Sequence, residues 1–168
     1  MSTSLYDLTI PIFIRNLESL DAILAKGEAF ATEQAIAESD LLDARLYEDM
    51  APLVSQVQRV SDSAKGTAVR LGGIENVAMA DEEKTFADLH ARIAKTIAFL
   101  KTVPRDAIDG KEEAKVTLQT PRQTFDFTGL GFVQTFALPN FYFHMTTAYG
   151  LLRMKGVPLG KLDYLGGI

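Results

Sequence analysis

Apolar residues recur every three or four positions along four stretches of the chain, a pattern typical of amphipathic helices. The first stretch runs from about Ser4 to Lys26, and Gly27 is its predicted end. Pro11 leaves two possible beginnings, because a proline kinks a helix interior but is tolerated in the first turn. The helix therefore either starts near Ser4 and bends, or starts near Thr9. Its predicted buried stripe is Ile10, Phe13, Leu17, Leu20 and Leu24.

Three further long helices follow at residues 49–71, 81–102 and 138–155, with a short helix and an irregular connection across 28–48. An aspartate opens the second and the third of these helices and is suited to cap each of them. Pro52 fits the first turn of the second helix. The predicted inward-facing residues are Leu53, Val57, Val60, Ala64 and Ala68 of the second helix, Phe86, Leu89, Ile93, Ile97 and Leu100 of the third, and Phe141, His144, Ala148 and Leu152 of the last.

The period changes between the third and last helices. Residues 115–120 and 124–128 alternate polar and apolar positions, and Pro121 lies between them, which predicts a β-hairpin. Four amphipathic helices bury their apolar stripes best against one another. The fold is therefore predicted to be mostly α, a four-helix bundle with a small β-hairpin between helices three and four, forming one domain over residues 1–168.

Composition excludes several functions. The chain has no cysteine, which rules out disulfides and thiolate metal sites. Its net charge is −5, and its basic residues are dispersed, so neither nucleic acid nor an anionic membrane is an expected partner. The N-terminal region lacks the basic and apolar parts of a signal peptide, and we expect a cytoplasmic protein.

Three polar residues are predicted to face the bundle interior. His144 lies on the inward stripe of the last helix, and Asn140 precedes it by one turn. Gln56 lies on the second helix, three residues after Leu53 and four before Val60. These side chains are either hydrogen-bonded interior groups, or the lining of a ligand-binding site for a small molecule.

A metal site is harder to build from this sequence. Zinc needs three or four ligands, and the chain offers two histidines in no H-x-x-x-H, H-E-x-x-H or E-x-x-H pair. Carboxylates would have to complete any such site, so the candidate ligands are His144, His90, Asp62 and Asp49. His90 has apolar neighbours at helical spacing, which favours a hydrogen-bonded interior residue.

Two other features suggest contacts with a ligand or a partner. Arg45 either clamps an anion or forms a surface ion pair with Asp43 or Asp49. Aromatic residues are concentrated late in the chain, where they either join the hairpin to the bundle or form a homodimer interface. They are Phe125, Phe127, Phe132, Phe136, Phe141, Tyr142 and Phe143.

The last helix also resembles a known family. The stretch from Pro139 to Gly156, which includes His144 and Arg153, resembles the final helix of the DinB/YfiT-like metalloenzyme superfamily. The segments 4–11 and 156–166 resemble an uncharacterised branch of that superfamily, a domain of unknown function, and the similarity extends over nearly the full length.

The resemblance implies an up-down-down-up bundle, often dimeric, with a divalent metal held by three histidines. One ligand comes from helix two and two come from helix four, one turn apart. The spacing from His144 to Arg153 then places His144 and Asn140 at the helix-four positions and Gln56 near the helix-two position. Amides are poor ligands for zinc or nickel, so the metal is disfavoured. Relatives with intact sites include thiol-dependent transferases and isomerases.

These observations support two main hypotheses. In the first, a small-ligand pocket lies between helices two and four, and the protein is a divergent enzyme that lost the three-histidine site. In the second, the chain is a non-enzymatic homodimeric helical interaction module. A third hypothesis keeps a metal bound by histidine and carboxylate. No substrate, reaction or catalytic residue is predicted.

Overall fold

The helices and strands were located in a computed structural model that describes residues 4–167, so residues 1–3 and 168 of the predicted domain lie outside it. The four predicted long helices are present, together with four short ones and the predicted hairpin. The elements are α1 (Ile10–Glu33), α2 (Glu38–Leu42), α3 (Leu53–Gly72), α4 (Phe86–Lys101), α5 (Arg105–Ile108), β1 (Lys115–Gln119), β2 (Thr124–Thr128), α6 (Gly129–Phe132), a π-helical segment (Val133–Ala137), α7 (Leu138–Met154) and α8 (Lys161–Tyr164).

Contacts of α1 fix the directions of two neighbours. Near the start of α1, the ring of Phe13 packs on that of Phe141, which lies early in α7, at 4.8 Å between centroids. Further along α1, Gly27 lies against Leu152 near the end of α7 and against Phe86, the first residue of α4. Helix α1 is therefore parallel to α7 and antiparallel to α4.

Contacts of α3 complete the arrangement. Gln56 bonds to His144, and Ser63 bonds to Asn140, so α3 and α7 are antiparallel. The last residue of α3 lies against Ile108, just beyond the end of α4, so α3 and α4 are parallel. The bundle is thus up-down-down-up, as the resemblance implied.

Parallel consecutive helices require a long connection. The 20 residues of α3 rise about 30 Å, and the chain must travel this distance back before α4 begins. Residues 73–85, which contain no helix or strand, make this return along α3 and α4 and are called the strap. Fully extended, 13 residues span roughly 43 Å, which is sufficient.

The predicted stripes form the interior. Those of α1 and α3 are almost entirely inaccessible to solvent, and Ile97 of α4 is the one predicted stripe residue on the long helices that is only partly buried. Burial of such a stripe against other helices provides most of the stability of a helix in water.

Helix α1 begins as the second alternative predicted. It starts at Ile10 with Pro11 in the first turn, where the missing N–H needs no partner. The predicted end at Gly27 is wrong, because α1 continues to Glu33. A Cβ atom at Gly27 would lie 3.1 Å from Leu152 and 3.3 Å from Phe86, so this glycine provides space where three helices meet.

The two predicted aspartate caps are also wrong. Helix α3 starts at Leu53 after Pro52, rather than at Asp49. Helix α4 is capped by Thr85, whose hydroxyl accepts from the backbone of Asp88 while the Asp88 carboxylate accepts from the backbone of Thr85. This reciprocal pair is a capping box, which satisfies two backbone N–H groups at once.

The hairpin is confirmed, and it joins the bundle through aromatic side chains. Strands β1 and β2 pair antiparallel, with Lys115 opposite Thr128 and Gln119 opposite Thr124. The ring of Phe127 lies 5.8 Å from that of Phe132 and 6.5 Å from that of Phe136. Helical backbone then continues without a break from α6 through the π-helical segment into α7.

We expect Gly27→Leu to lower the free energy of unfolding by about 1–3 kcal/mol, because the side chain must enter a packed helix crossing. The control is Gly150→Leu in α7, where a Cβ meets no atom within 4 Å and leucine is the better helix former. Urea denaturation measures both changes. Equal destabilisation by the two variants would contradict the role assigned to Gly27.

Candidate functional site

Two of the three predicted site residues meet directly. Nδ1 of His144 on α7 lies 2.7 Å from Oε1 of Gln56 on α3. Both side chains are buried, with 8% of His144 and 1% of Gln56 exposed. The two side chains meet because each residue lies on the stripe that faces the other helix. The bond therefore connects the polar parts of two otherwise apolar faces.

The hydrogen bonds fix the orientation of both groups. Nε2 of Gln56 donates to the carbonyl of Ala51 at 2.9 Å, so the amide oxygen faces His144. That oxygen only accepts, and Nδ1 must therefore carry the ring proton. The other ring nitrogen, Nε2, is left with a lone pair. This chain of two hydrogen bonds, from His144 through Gln56 to Ala51, is called the relay.

The imidazole of His144 is neutral at pH 7. Burial, the larger cause, and the positive charge of Arg59 together lower its pKa from 6.5 to about 4. Burial disfavours the charged form, and a neighbouring cation does the same. The ring therefore acts as a hydrogen-bond acceptor through Nε2 and is a weak base.

Asn140 has a different partner from the other two residues. Its Nδ2 donates to Oγ of Ser63 at 2.6 Å, and that hydroxyl donates in turn to the carbonyl of Arg59. Because Asn140 precedes His144 by one turn, this second pair lies beside the relay along the same contact of α3 with α7. The sequence analysis missed Ser63 and Arg59, although both lie within two turns of Gln56.

An apolar groove lies next to His144 on α7. The ring of Phe143 packs edge-on against the imidazole, with 5.2 Å between centroids, and 57% of Phe143 is exposed. The groove has a volume of about 560 Å³ and is lined by Leu46, Tyr142, Phe143, Thr146, Thr147 and Gly150. Late aromatic residues therefore serve both the interior and the surface.

The candidate metal ligands are held apart by separate partners. His90 is a quarter exposed at the edge of α4, where Nδ1 lies 2.6 Å from Oδ1 of Asp21 on α1. The carboxylate of Asp62 pairs with Arg92 at 3.0 Å. Asp49 is exposed in the connection before α3. Within residues 4–167, no three His, Asp or Glu side chains form a group that could hold a metal ion.

The donor set that the resemblance assigns to the three-histidine position does not fit a divalent metal. It consists of one imidazole and two amides, and both amides are engaged in hydrogen bonds. Zinc and nickel bind imidazole and thiolate well and amides poorly.

Arg45 does not make the ion pair predicted for it. Its guanidinium donates to the carbonyl of Met50 and forms no ion pair with Asp43 or Asp49 among the described residues. The bond closes the turn that leads into α3. Membrane insertion has no support in the described helices, none of which combines the length and apolar character of a bilayer span.

Comparisons with known proteins define the class. A crystal structure described as that of a DinB family member protein from Shewanella denitrificans is 40% identical to this chain and superimposes with a TM-score of 0.89. The match covers 98% of this chain and 93% of that one. The fold is therefore DinB-like, which confirms the resemblance noted in the sequence.

The family itself has no assigned function. Residues 5–165 match the family model described as domain of unknown function DUF1993, and the chain belongs to this family. No curated protein matches the chain.

The lowered pKa of His144 predicts a specific dependence of stability on pH. Between pH 6.5 and 4 the unfolded chain binds a proton at this residue and the folded chain does not. The stabilisation is thus complete above pH 6.5 and is lost as the pH falls toward 4. From pH 7 to pH 5, wild type should lose about 2 kcal/mol more unfolding free energy than His144→Asn.

Urea denaturation at the two pH values gives this difference. Carboxylates titrate in both proteins, so their contributions cancel. A pH dependence that is identical in the variant would show that His144 titrates normally in the folded state.

Proposed function

We propose that this chain is a small-molecule-binding DinB-like domain, divergent from the metal-dependent members of its superfamily, with its site where α3 meets α7. His144 and Gln56 form the centre of the site, and Asn140 borders it. The proposal depends most on the relay. It uses Nδ1 of His144 for a bond within the protein and leaves the lone pair of Nε2 available to a ligand.

The relay supports one role for His144. A neutral ring whose Nδ1–H is already donated presents Nε2 as an acceptor for an O–H or N–H group of a ligand. With a pKa of about 4, the ring binds such a group and withdraws its proton poorly at neutral pH. Gln56 acts as the residue that holds the ring in this tautomer.

The position of Arg59 favours a ligand that also carries an anionic group. Its charge is close enough to His144 to lower the pKa of the ring, while its side chain is exposed on α3. A guanidinium binds a carboxylate or phosphate through two parallel hydrogen bonds. The ligand class is therefore a small anion that also has a hydrogen-bond donor, such as a hydroxy acid.

The test is a thermal-shift screen of small hydroxy acids and related anions on metal-free protein. We expect wild type to be stabilised by a subset of them, by about 1–3 kcal/mol when the ligand is in large excess over its dissociation constant. His144→Asn should abolish the shift, because the shorter side chain still donates to Gln56 but lacks the acceptor nitrogen. Arg59→Gln should weaken binding of the same compounds.

His90→Asn is the matched control, because His90 lies on the opposite side of the bundle and bonds to Asp21. It should retain every shift. A wild-type protein that responds to none of the compounds, or a response that survives in His144→Asn, would refute the proposal.

A second candidate function rests on the exposed apolar groove on α7. Two large apolar side chains that line it are substantially exposed: Phe143 by 57% and Leu46 by 44%. Contiguous apolar surface of this kind is favoured at protein interfaces. We propose as an alternative that two copies of the chain pair through this groove as a non-enzymatic homodimeric module.

Light scattering at increasing concentration tests the pairing. Wild type should have the mass of a dimer, and Phe143→Ser should shift it to a monomer by removing about 1–3 kcal/mol of apolar contact on each copy. Leu162→Ser, which alters a residue 66% exposed on α8 and outside the groove, should leave the dimer intact. A monomeric wild type at high concentration would exclude this function.

A further inference from the structure

The strap is bound to the helices through its backbone carbonyls. Lys65 of α3 donates to the carbonyl of Val77 at 2.9 Å, and Arg92 of α4 donates to that of Ala80 at 3.1 Å. Lys95 reaches the residue after Val77 at 3.4 Å. Cationic side chains from both helices therefore hold the strap in the groove between them.

One strap side chain covers a pair of buried hydroxyls. Oγ of Ser61 on α3 and Oγ1 of Thr96 on α4 lie 2.7 Å apart, and both residues are fully buried. The sulfur of Met79 lies 3.9 Å and 3.7 Å from these two oxygens. The pair is thus a polar seam between α3 and α4, and Met79 lies against it.

Arg92 links the strap to both helices. Its side chain is 1% exposed, and its guanidinium pairs with Asp62 of α3 at 3.0 Å and with Asp81 and Glu83 of the strap at 2.9 Å each. Gln58 of α3 donates to the second oxygen of Glu83 at 2.7 Å. Even so, Nε of Arg92 is buried with no hydrogen-bond partner among the described residues. A buried unpaired donor is unfavourable, so the closed arrangement leaves Arg92 incompletely satisfied.

Little else holds the strap in place. Residues 74–83 make no backbone–backbone hydrogen bond among the described residues, and Ile74 is the strap residue packed against the core. Segments with few buried apolar contacts and few backbone bonds open at lower free energy than the core. The two ends are built differently, since Gly73 ends α3 with a φ of 61°, in the left-handed region that favours glycine, whereas Thr85 is fixed in the capping box of α4.

We propose that the strap opens and closes as a unit over a bundle that stays folded, with the ion pairs of Arg92 as the latch and Gly73 as the hinge. Opening removes Asp81 and Glu83 from the groove and leaves Arg92 and Lys65 beside Asp62 on the helices. The uncovered groove exposes the hydroxyls of Ser61 and Thr96 and an excess of positive charge. A small anionic ligand that binds there would favour the open strap.

The absence of cysteine from the chain allows a direct test. Ser61→Cys places one thiol under the strap, and Val60→Cys places one in the core on the adjacent position of the same helix. Both Ser61 and Val60 are fully buried. Because global unfolding exposes both thiols and strap opening exposes only the first, their reaction rates with a thiol reagent separate the two events.

Under native conditions we expect the thiol at position 61 to react about tenfold or more faster than that at position 60. Adding Glu83→Gln, which removes one charge from the latch, should increase the reaction rate at position 61 by about another fivefold. The rate at position 60 should change only as far as the substitution changes the free energy of global unfolding. Glu82→Gln is the matched control, because it removes the same charge from an exposed neighbour in the strap.

Thr96→Cys provides a second reporter on α4 in case Ser61→Cys disturbs its own site, and it should behave as Ser61→Cys does. Equal reaction rates at positions 60 and 61, with the same denaturant dependence, would mean that the seam is exposed only by global unfolding. Equal effects of Glu82→Gln and Glu83→Gln would exclude the latch. Either result overturns the proposal.

Discussion

Helix α3 has to pack against two neighbours at once, and the rest of the structure depends on how it does so. It is parallel to α4 on one flank and antiparallel to α7 on the other, and 11 of its 20 residues are buried. Its apolar stripe cannot fill both contacts, so polar side chains enter each of them, and each needs a partner because burying an unpaired polar group is costly. Gln56 finds His144 on the α7 side, and Ser61 finds Thr96 on the α4 side. The directions of the helices thus determine which polar groups can meet.

The tautomer of His144 is determined by a residue outside the two helices that form the site. The carbonyl of Ala51 orients Gln56, and Gln56 determines which nitrogen of His144 carries the proton. Ala51 belongs to the connection before α3, where Arg45 bonds to Met50 and the backbone of Leu53 bonds to Ala44. This irregular connection therefore controls the tautomer of a histidine on a distant part of the chain.

Helical periodicity predicted much of the fold and the central pair of the site. The apolar stripes placed Gln56 and His144 on inward-facing surfaces, and the up-down-down-up order implied by the resemblance makes their two helices antiparallel. Ser63 was missed although it lies two turns after Gln56 on α3. Its partner Asn140 is on α7, and only the relative position of the two helices brings Ser63 and Asn140 together. Gly27 misled the analysis because local preference marks glycine as a helix end, whereas here it provides space at a crossing.

The strap could not be predicted for a different reason. It has no periodicity, and it is held by groups such as Arg92 and Lys65 that appear on a helical wheel as ordinary surface charges. Asp81 resembled a helix cap because acidic residues are common in first turns, but its carboxylate pairs with Arg92 eleven residues later. At Asp81, as in the strap as a whole, contacts with a distant segment determine the structure and local preference does not.

The relay also explains in physical terms why this site differs from a three-histidine metal centre. A ligand at the Gln56 position would have to direct a lone pair at a shared ion, but the amide oxygen is directed at the Nδ1–H of His144 instead. Metal-binding histidines commonly donate the N–H of their second ring nitrogen to an acceptor, and the Nδ1–H of His144 is donated in the same way. The acceptor available at this site is the lone pair of Nε2 of His144, beside the positive charge of Arg59. A single neutral nitrogen cannot complete the coordination of a divalent ion, but it is sufficient to accept one hydrogen bond, and the proposed ligand requires no more than this.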